Sequence, residues 1–299
     1  MKHSARQIHF AFVGGMALLK SHVAIDGFAP CQSPMVLLPV STSKTSFAAI
    51  PTHLEEAINL VALSLWGPQE LQKVLPVSER QVKDKKNPVL TGEAHWDSNS
   101  LDYFQRRQVF ETRALDGDSC AQHSLGLLLW NGYCGAPNEI ESARWHAAAA
   151  VQHHLDAMAV LGGCLRTGAG VAPNVELGLE LIAYTAQQRN PTGINKQAAL
   201  EEAADNYEKA FALYQSCPHP NALLLMNLGW SYMERAGTSK DALKGIDSWK
   251  DAVLLAPDEG SEEAAWFLYQ HYRRDDPKEA QKWLSIAASL GYTETLQEK

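Results

Sequence analysis

The sequence predicts an all-α protein: a right-handed α-solenoid of antiparallel helix pairs preceded by an irregular N-terminal extension. Three observations predict it. From Leu101 onward the chain reads as short helices punctuated by Gly, Pro or Asn. No segment shows the apolar–polar alternation of a half-buried strand. A motif of three apolar residues spaced four apart recurs along the second half of the chain.

Residues 1–50 read as a targeting segment and an irregular extension. Lys2, Arg6, Lys20 and Lys44 stand against one acid, Asp26, in the first 54 residues, although the whole chain carries a net charge of −8. Residues 8–19 are apolar between Arg6 and Lys20. That stretch is too short to span a bilayer, so no transmembrane span is expected. It fits the core of a signal peptide or the apolar face of a mitochondrial presequence. Five cysteines, an odd number without regular spacing, and the lack of an Asn-X-Ser/Thr sequon favour the mitochondrial address. The secretory pathway and an untargeted, cytoplasmic chain stay open. Pro30, Pro34 and Pro39 keep the following stretch irregular.

Residues 51–100 read as a short helical segment and a linker. A helix is expected after Pro51 with Thr52 as its cap, because Leu54, Ala57, Ile58, Val61, Ala62 and Leu65 keep helical spacing. Residues 78–99 are polar and unpatterned.

Residues 101–299 read as the helical repeat domain, with copies near 117–153, 154–189, 220–256 and 260–295. Residues 101–116 form a preceding cap helix that leads through Gly117 and Asp118 into the first copy. The stripes are Ala121-Leu125-Leu129, Ala157-Leu161-Leu165, Leu224-Leu228-Tyr232 and Ala264-Leu268-Tyr272. Residues four apart share one helix face, so each stripe is a single buried edge. Gly126, Gly162 and Gly229 follow the middle residue in three copies; Tyr269 takes that place in the fourth. Glycine inside a helix costs about 1 kcal/mol relative to alanine, so its recurrence implies a close helix approach. Each stripe is followed by a glycine-rich turn and a second helix, and the second helices carry Trp145, Leu181, Trp249 and Trp283 with small residues one turn on. The step from the second copy to the third is longer than the others. The surplus falls where Gln197–Phe211 reads as an added helix, placed near 194–216.

These residues resemble the Sel-one-like repeat, a branch of the tetratricopeptide-like helical repeats. The nearest matches are Ala121-Gln-His-Ser-Leu-Gly126, Gly168-Ala-Gly170-Val171 and Glu279-Ala-Gln-Lys-Trp283-Leu-Ser-Ile-Ala-Ala-Ser-Leu-Gly291. The resemblance covers roughly residues 117–295, with one interruption. It implies a stacked solenoid with a long concave surface that binds other proteins.

Catalytic chemistry is not expected. Gly168-Ala-Gly170 lacks the third glycine of a dinucleotide fingerprint and falls between helices. His153 and His154 are adjacent and cannot share a helix face. Cys120, His123 and Cys134 do not form a paired-ligand spacing, and each cysteine reads as a small buried hydrophobe. No enzyme activity, cofactor or metal is therefore expected. A pI near 5.8 weighs against direct nucleic-acid binding. Trp230 and Trp266 point about 200° from their stripes at ~100° per residue. Two readings follow: they pack against the next repeat, or they anchor a partner together with Tyr269 and His271. The expected role is a scaffold or structural subunit of a multiprotein, mitochondrial assembly. A secretory-pathway adaptor and a helical-repeat RNA-binding subunit are the alternatives.

Overall fold

A computed structural model describes residues 49–76, 103–132, 135–234, 236–255 and 260–292. By its contacts the chain divides between Ser46 and Phe47, and every described residue belongs to the second unit. The expected targeting segment and most of the expected linker thus lie outside the described residues. Among the described residues all regular structure is helical. The helices are α1 (Thr52–Trp66), α2 (Pro68–Val74), α3 (Tyr103–Leu115), α4 (Ser119–Asn131), α5 (Glu139–Val151), α6 (Leu155–Thr167) and α7 (Val175–Gln187). They continue as α8 (Pro191–Ala203), α9 (Tyr207–Gln215), α10 (Ala222–Glu234), α11 (Ala242–Leu254), α12 (Ser261–Tyr272) and α13 (Pro277–Ser289).

From α4 onward the helices pack as pairs, α4 with α5, α6 with α7, α8 with α9, α10 with α11 and α12 with α13. The helix starts repeat the same chemistry. In the first helices, Asp118, His154, Asn190 and Asn221 each accept a bond from the backbone N–H three residues on. In the second helices, Asn138, Asn174, Asp241 and Asp276 do the same. Each cap satisfies a donor the helix cannot, and each is worth about 1 kcal/mol.

The caps also set the register of the pairs. Gly126, Gly162 and Gly229 each lie eight residues after their cap, and a crossing helix fills the notch each leaves. A Cβ on Gly126 would meet the His146 ring at 2.7 Å; one on Gly162 would meet the Gly178 carbonyl oxygen at 2.8 Å. One on Gly229 would meet the Trp249 ring at 2.5 Å. The close approach expected from the sequence is therefore present in all three. One equivalence in the sequence reading needs correcting. Trp145 and Trp283 lie seven residues after their caps, Asn138 and Asp276, whereas Trp249 lies eight after Asp241. Trp249 is the counterpart of His146, Ile182 and Tyr214, the residues that press on the first helix.

The surplus between the second and third stripes folds as two helices, not as one continuous helix across 197–211. Ala204-Asp205-Asn206 breaks it with Asp205 at φ 58°. The break is a turn used elsewhere in the chain. At Gly117, His153, Arg189, Asp205 and Gly291 a left-handed residue ends one helix, and the next residue's N–H reaches back five residues to a carbonyl. This is the Schellman closure. Three of the five sites hold a side chain where glycine is free of strain. Arg189→Gly is accordingly expected to raise stability by about 0.5–1 kcal/mol, read from the midpoint of urea unfolding; a fall would overturn this account of the turn.

The short α9 still takes the place of a second helix. Gly170, in the turn between α6 and α7, sits so close to the first residue of α5 that a Cβ would lie 2.0 Å from the Glu139 carbonyl oxygen. Gly237, between α10 and α11, makes the same approach, 2.0 Å, to the Tyr207 carbonyl oxygen at the start of α9.

Helix α1 follows the expected spacing, burying Leu54, Ile58 and Ala62. Thr52 is its first helical residue and not its cap: the carbonyl of Pro51 accepts from Leu54 and Glu55, and no side chain caps the end. The helix packs on α5 and touches α7. Trp66 Nε1 donates to the Arg144 carbonyl at 2.7 Å, and its ring stands edge-on to Trp145 at 4.8 Å. The Arg144 guanidinium lies 4.2 Å over the same ring. Leu71 and Val74 of α2 join that core, and Gln122 donates from α4 to the Val74 carbonyl.

Candidate protein-interaction surface

The first helices α6, α8, α10 and α12 contact one another in sequence and so form a continuous row. A polar seam runs along it. Asp156 Oδ1 of α6 accepts from Asn190 at 3.0 Å and Thr192 at 2.6 Å. Burial opposes ionisation of that carboxyl, but His123 and these two donors hold it below the usual carboxylate range. Asn195 of α8 donates to Asn221 at 3.2 Å and accepts from Asn227 of α10 at 3.3 Å. Because Asn190 and Asn221 are also helix caps, the seam ties the starts of α8 and α10 each to the helix before and fixes the register of α6, α8 and α10.

The four aromatic and imidazole side chains singled out in the sequence fall at the far end. Trp230, Tyr269 and His271 are half-buried on α10 and α12. Trp266 is 7% exposed and belongs to the C-terminal core with Trp249 and Trp283. Its ring lies 5.0 Å from Tyr269 and 5.1 Å from Tyr292, so Trp266 and Tyr269 are brought together. His271 stands edge-on to Tyr272 at 4.9 Å.

A second feature was not read from the sequence. The large exposed apolar side chains, including Leu60, Ile140, Val175, Leu243 and Leu254, lie on α1, on α3, or on second helices and the residue that ends α11, and none described lies on a first helix. Leu243 and Leu254 are 76% and 81% exposed. Their positions off the α11 stripe were the available signal.

The cysteines divide. Cys164 is buried, and burial pushes its thiol up to about 11, as suits a small core hydrophobe. Cys120 is exposed, contrary to the expectation of burial, because it lies two residues after the Asp118 cap in the first turn of α4. Cys134 and Cys31 lie outside the described residues. Among the described residues no three His, Cys, Asp or Glu side chains converge as a metal site, and no described helix is long and apolar enough to cross a membrane.

No family model matches the chain, and no curated protein does. Among solved structures the chain is similar to a Sel1 repeat protein from Oxalobacter formigenes, with 20% identity and a TM-score of 0.47 over 65% of this chain and 82% of that one. It is also similar to c5321, a protective antigen present in uropathogenic Escherichia coli strains and displaying an SLR fold. There the identity is 21% and the TM-score 0.46, over 82% of this chain and 54% of that one. The chain thus spans about half the length of the second structure. On its own geometry, the Leu-Gly stripe, the glycine notch and the shared turns, the described chain is an all-α array of repeated helix pairs.

Proposed function

We propose that this protein is a non-catalytic scaffold for protein–protein interaction, a structural subunit of a larger multiprotein assembly. The observation that carries this reading is the continuous row of first helices bearing half-buried Trp230, Tyr269 and His271. Large amphipathic rings with few rotatable bonds are the side chains on which interface energy concentrates. The polar seam locks α10 in register with α6 and α8, so Trp230 is presented with little loss of conformational freedom on binding. Trp266 supports that surface from beneath by fixing Tyr269. The acid-poor residues 1–54, set before an acidic body, support a mitochondrial location for the assembly.

The test is affinity purification of the full chain, tagged at its C-terminus, from its native cells after a high-salt wash. The wild type is expected to retain one stoichiometric set of partners from a mitochondrial fraction. The double variant Trp230→Ala, Tyr269→Ala is expected to lose them by about thirtyfold or more, as for a hot-spot pair. Retention by that variant together with loss in Leu243→Glu, Leu254→Glu would move the interface to the second helices. Capture of no stoichiometric partner by the wild type would remove the structural-subunit reading itself.

A further inference from the structure

Eight residues after the cap of each second helix stands the side chain that faces its first helix. In α7, α9 and α11 that residue is Ile182, Tyr214 and Trp249; in α5 it is His146. The imidazole is fully buried, with Cε1 and Nε2 against Gly126. No hydrogen-bond partner reaches Nε2. Its Nδ1 lies 3.3 Å from Nδ1 of His123 on α4. The His123 ring in turn stacks on His154 at 4.9 Å and 27°. Three histidines from α4, α5 and the start of α6 thus meet where the first pair joins the second.

Two contacts in the cluster require an imidazole that accepts a hydrogen bond. Two Nδ1 atoms in hydrogen-bond contact hold one proton between them, so one imidazole must accept. His154 caps α6 by accepting the Ala157 N–H at its own Nδ1, which a protonated ring cannot do. His146 is fully buried, so a charge on its ring would lose its hydration. The facing charges do not favour one at His146. Lys196 of α8 adds positive charge there, together with His123 and His154; Asp156 of α6 faces both His123 and His154, and Asp118 at the start of α4 faces His154. At the α5–α6 turn, His153 pairs instead with Glu55 of α1 at 3.4 Å.

We propose that His123, His146 and His154 form an acid-responsive latch, which holds the first helix pair closed on the second at neutral pH and releases it as His146 and His154 take up protons. Burial first, then the neighbouring positive charges, holds His146 well below the ordinary histidine value, and burial also lowers His154. The sign follows. Above about pH 6.5 both closed and open forms are neutral and stability is flat; below it the open form binds protons that the closed form cannot, and closure weakens until the folded-state values are reached. Each proton taken up raises the open fraction about tenfold per pH unit in that window.

The latch is read by hydrogen exchange of the full chain at pH 7.5, 6.5 and 5.5, corrected for the intrinsic pH dependence of exchange. Protection of α4, α5 and the first turn of α6 is expected to fall about tenfold or more between pH 6.5 and 5.5, with α12 and α13 unchanged. His146→Ile installs the residue the next pair uses at the same position and is expected to abolish the fall. His154→Asn installs the cap used by α8 and is expected to reduce it. Circular dichroism at pH 7.5 checks that each variant folds. If His146→Ile does not fold, His154→Asn decides. Equal protection of α4–α6 at the three pH values, a fall shared by α12 and α13, or an undiminished fall in the folded variants would overturn the latch.

Discussion

Gly170→Ala is expected to destabilise the protein by about 2–5 kcal/mol. Two costs combine. The residue sits at φ 70°, where a Cβ costs about 1–2 kcal/mol. That Cβ would also lie 2.0 Å from the Glu139 carbonyl oxygen, which is backbone and cannot rotate aside. Relieving the clash means moving the turn off α5, and overpacking of this kind costs about 1–3 kcal/mol more. The same turn supplies a control. Gly168 is at φ 78°, but its nearest neighbour is the Pro173 ring at 3.6 Å, an ordinary contact. Gly168→Ala is expected to cost only the backbone share, about 1–2 kcal/mol. Urea unfolding of both variants separates conformation from contact; equal losses would show that the approach to Glu139 does not matter.

Trp249→Ala is expected to cost about 3–5 kcal/mol, as for large aromatic deletions in packed cores. The indole is 5% exposed, fills the notch at Gly229, donates from Nε1 to the Met226 carbonyl at 3.1 Å, and lies 5.2 Å from the Phe267 ring. Removing it empties the contact between α10 and α11 and loosens the seat of α12. The notch makes a sharper test possible. Gly229→Ala alone clashes with the indole at 2.5 Å, while in the Trp249→Ala background those contacts are gone and the Gly245 carbonyl oxygen, at 2.9 Å, remains near the new methyl. The two substitutions together are therefore expected to cost less than the sum of each alone, by about 1–3 kcal/mol in a double-mutant cycle. Additive losses would disconnect the glycine from the ring.

Both predictions rest on features that were partly legible in the sequence. Leu-Gly within a stripe at Gly126, Gly162 and Gly229 is a local pattern, and glycine in a helix interior has few explanations besides close approach. The equivalence of Trp249 with Trp145 was misread because a tryptophan ahead of small residues matches across a one-residue shift. The caps Asn138, Asp241 and Asp276 held the correct register throughout. The two-helix insertion was legible in the same way. Asn190-Pro191 is a helix start and Asp205-Asn206 a stop followed by a start, but the Ala- and Leu-rich stretch around them masks the break. Docking of α1 was not legible, because Trp66 meets Arg144 and Trp145 across 78 and 79 residues and neither side carries a pattern naming the other. The His123–His146–His154 cluster needs three helices in register before it exists. The candidate surface was read in part: Trp230 and Trp266 leave their stripes as spacing requires, but Trp266 is buried because α12 packs on α10, α11 and α13, and helical period alone counts one buried side.

The meeting of Gly237 with the first residue of α9 bears on how such a chain grows. What the turn recognises in the preceding pair is a carbonyl at the very start of a helix, and nothing further along. A helix of nine residues satisfies that demand as fully as one of thirteen. Within this chain the length of a pair can therefore change without disturbing the joint, provided its second helix begins correctly. The joint is a standard fitting, and the body behind it is free to vary.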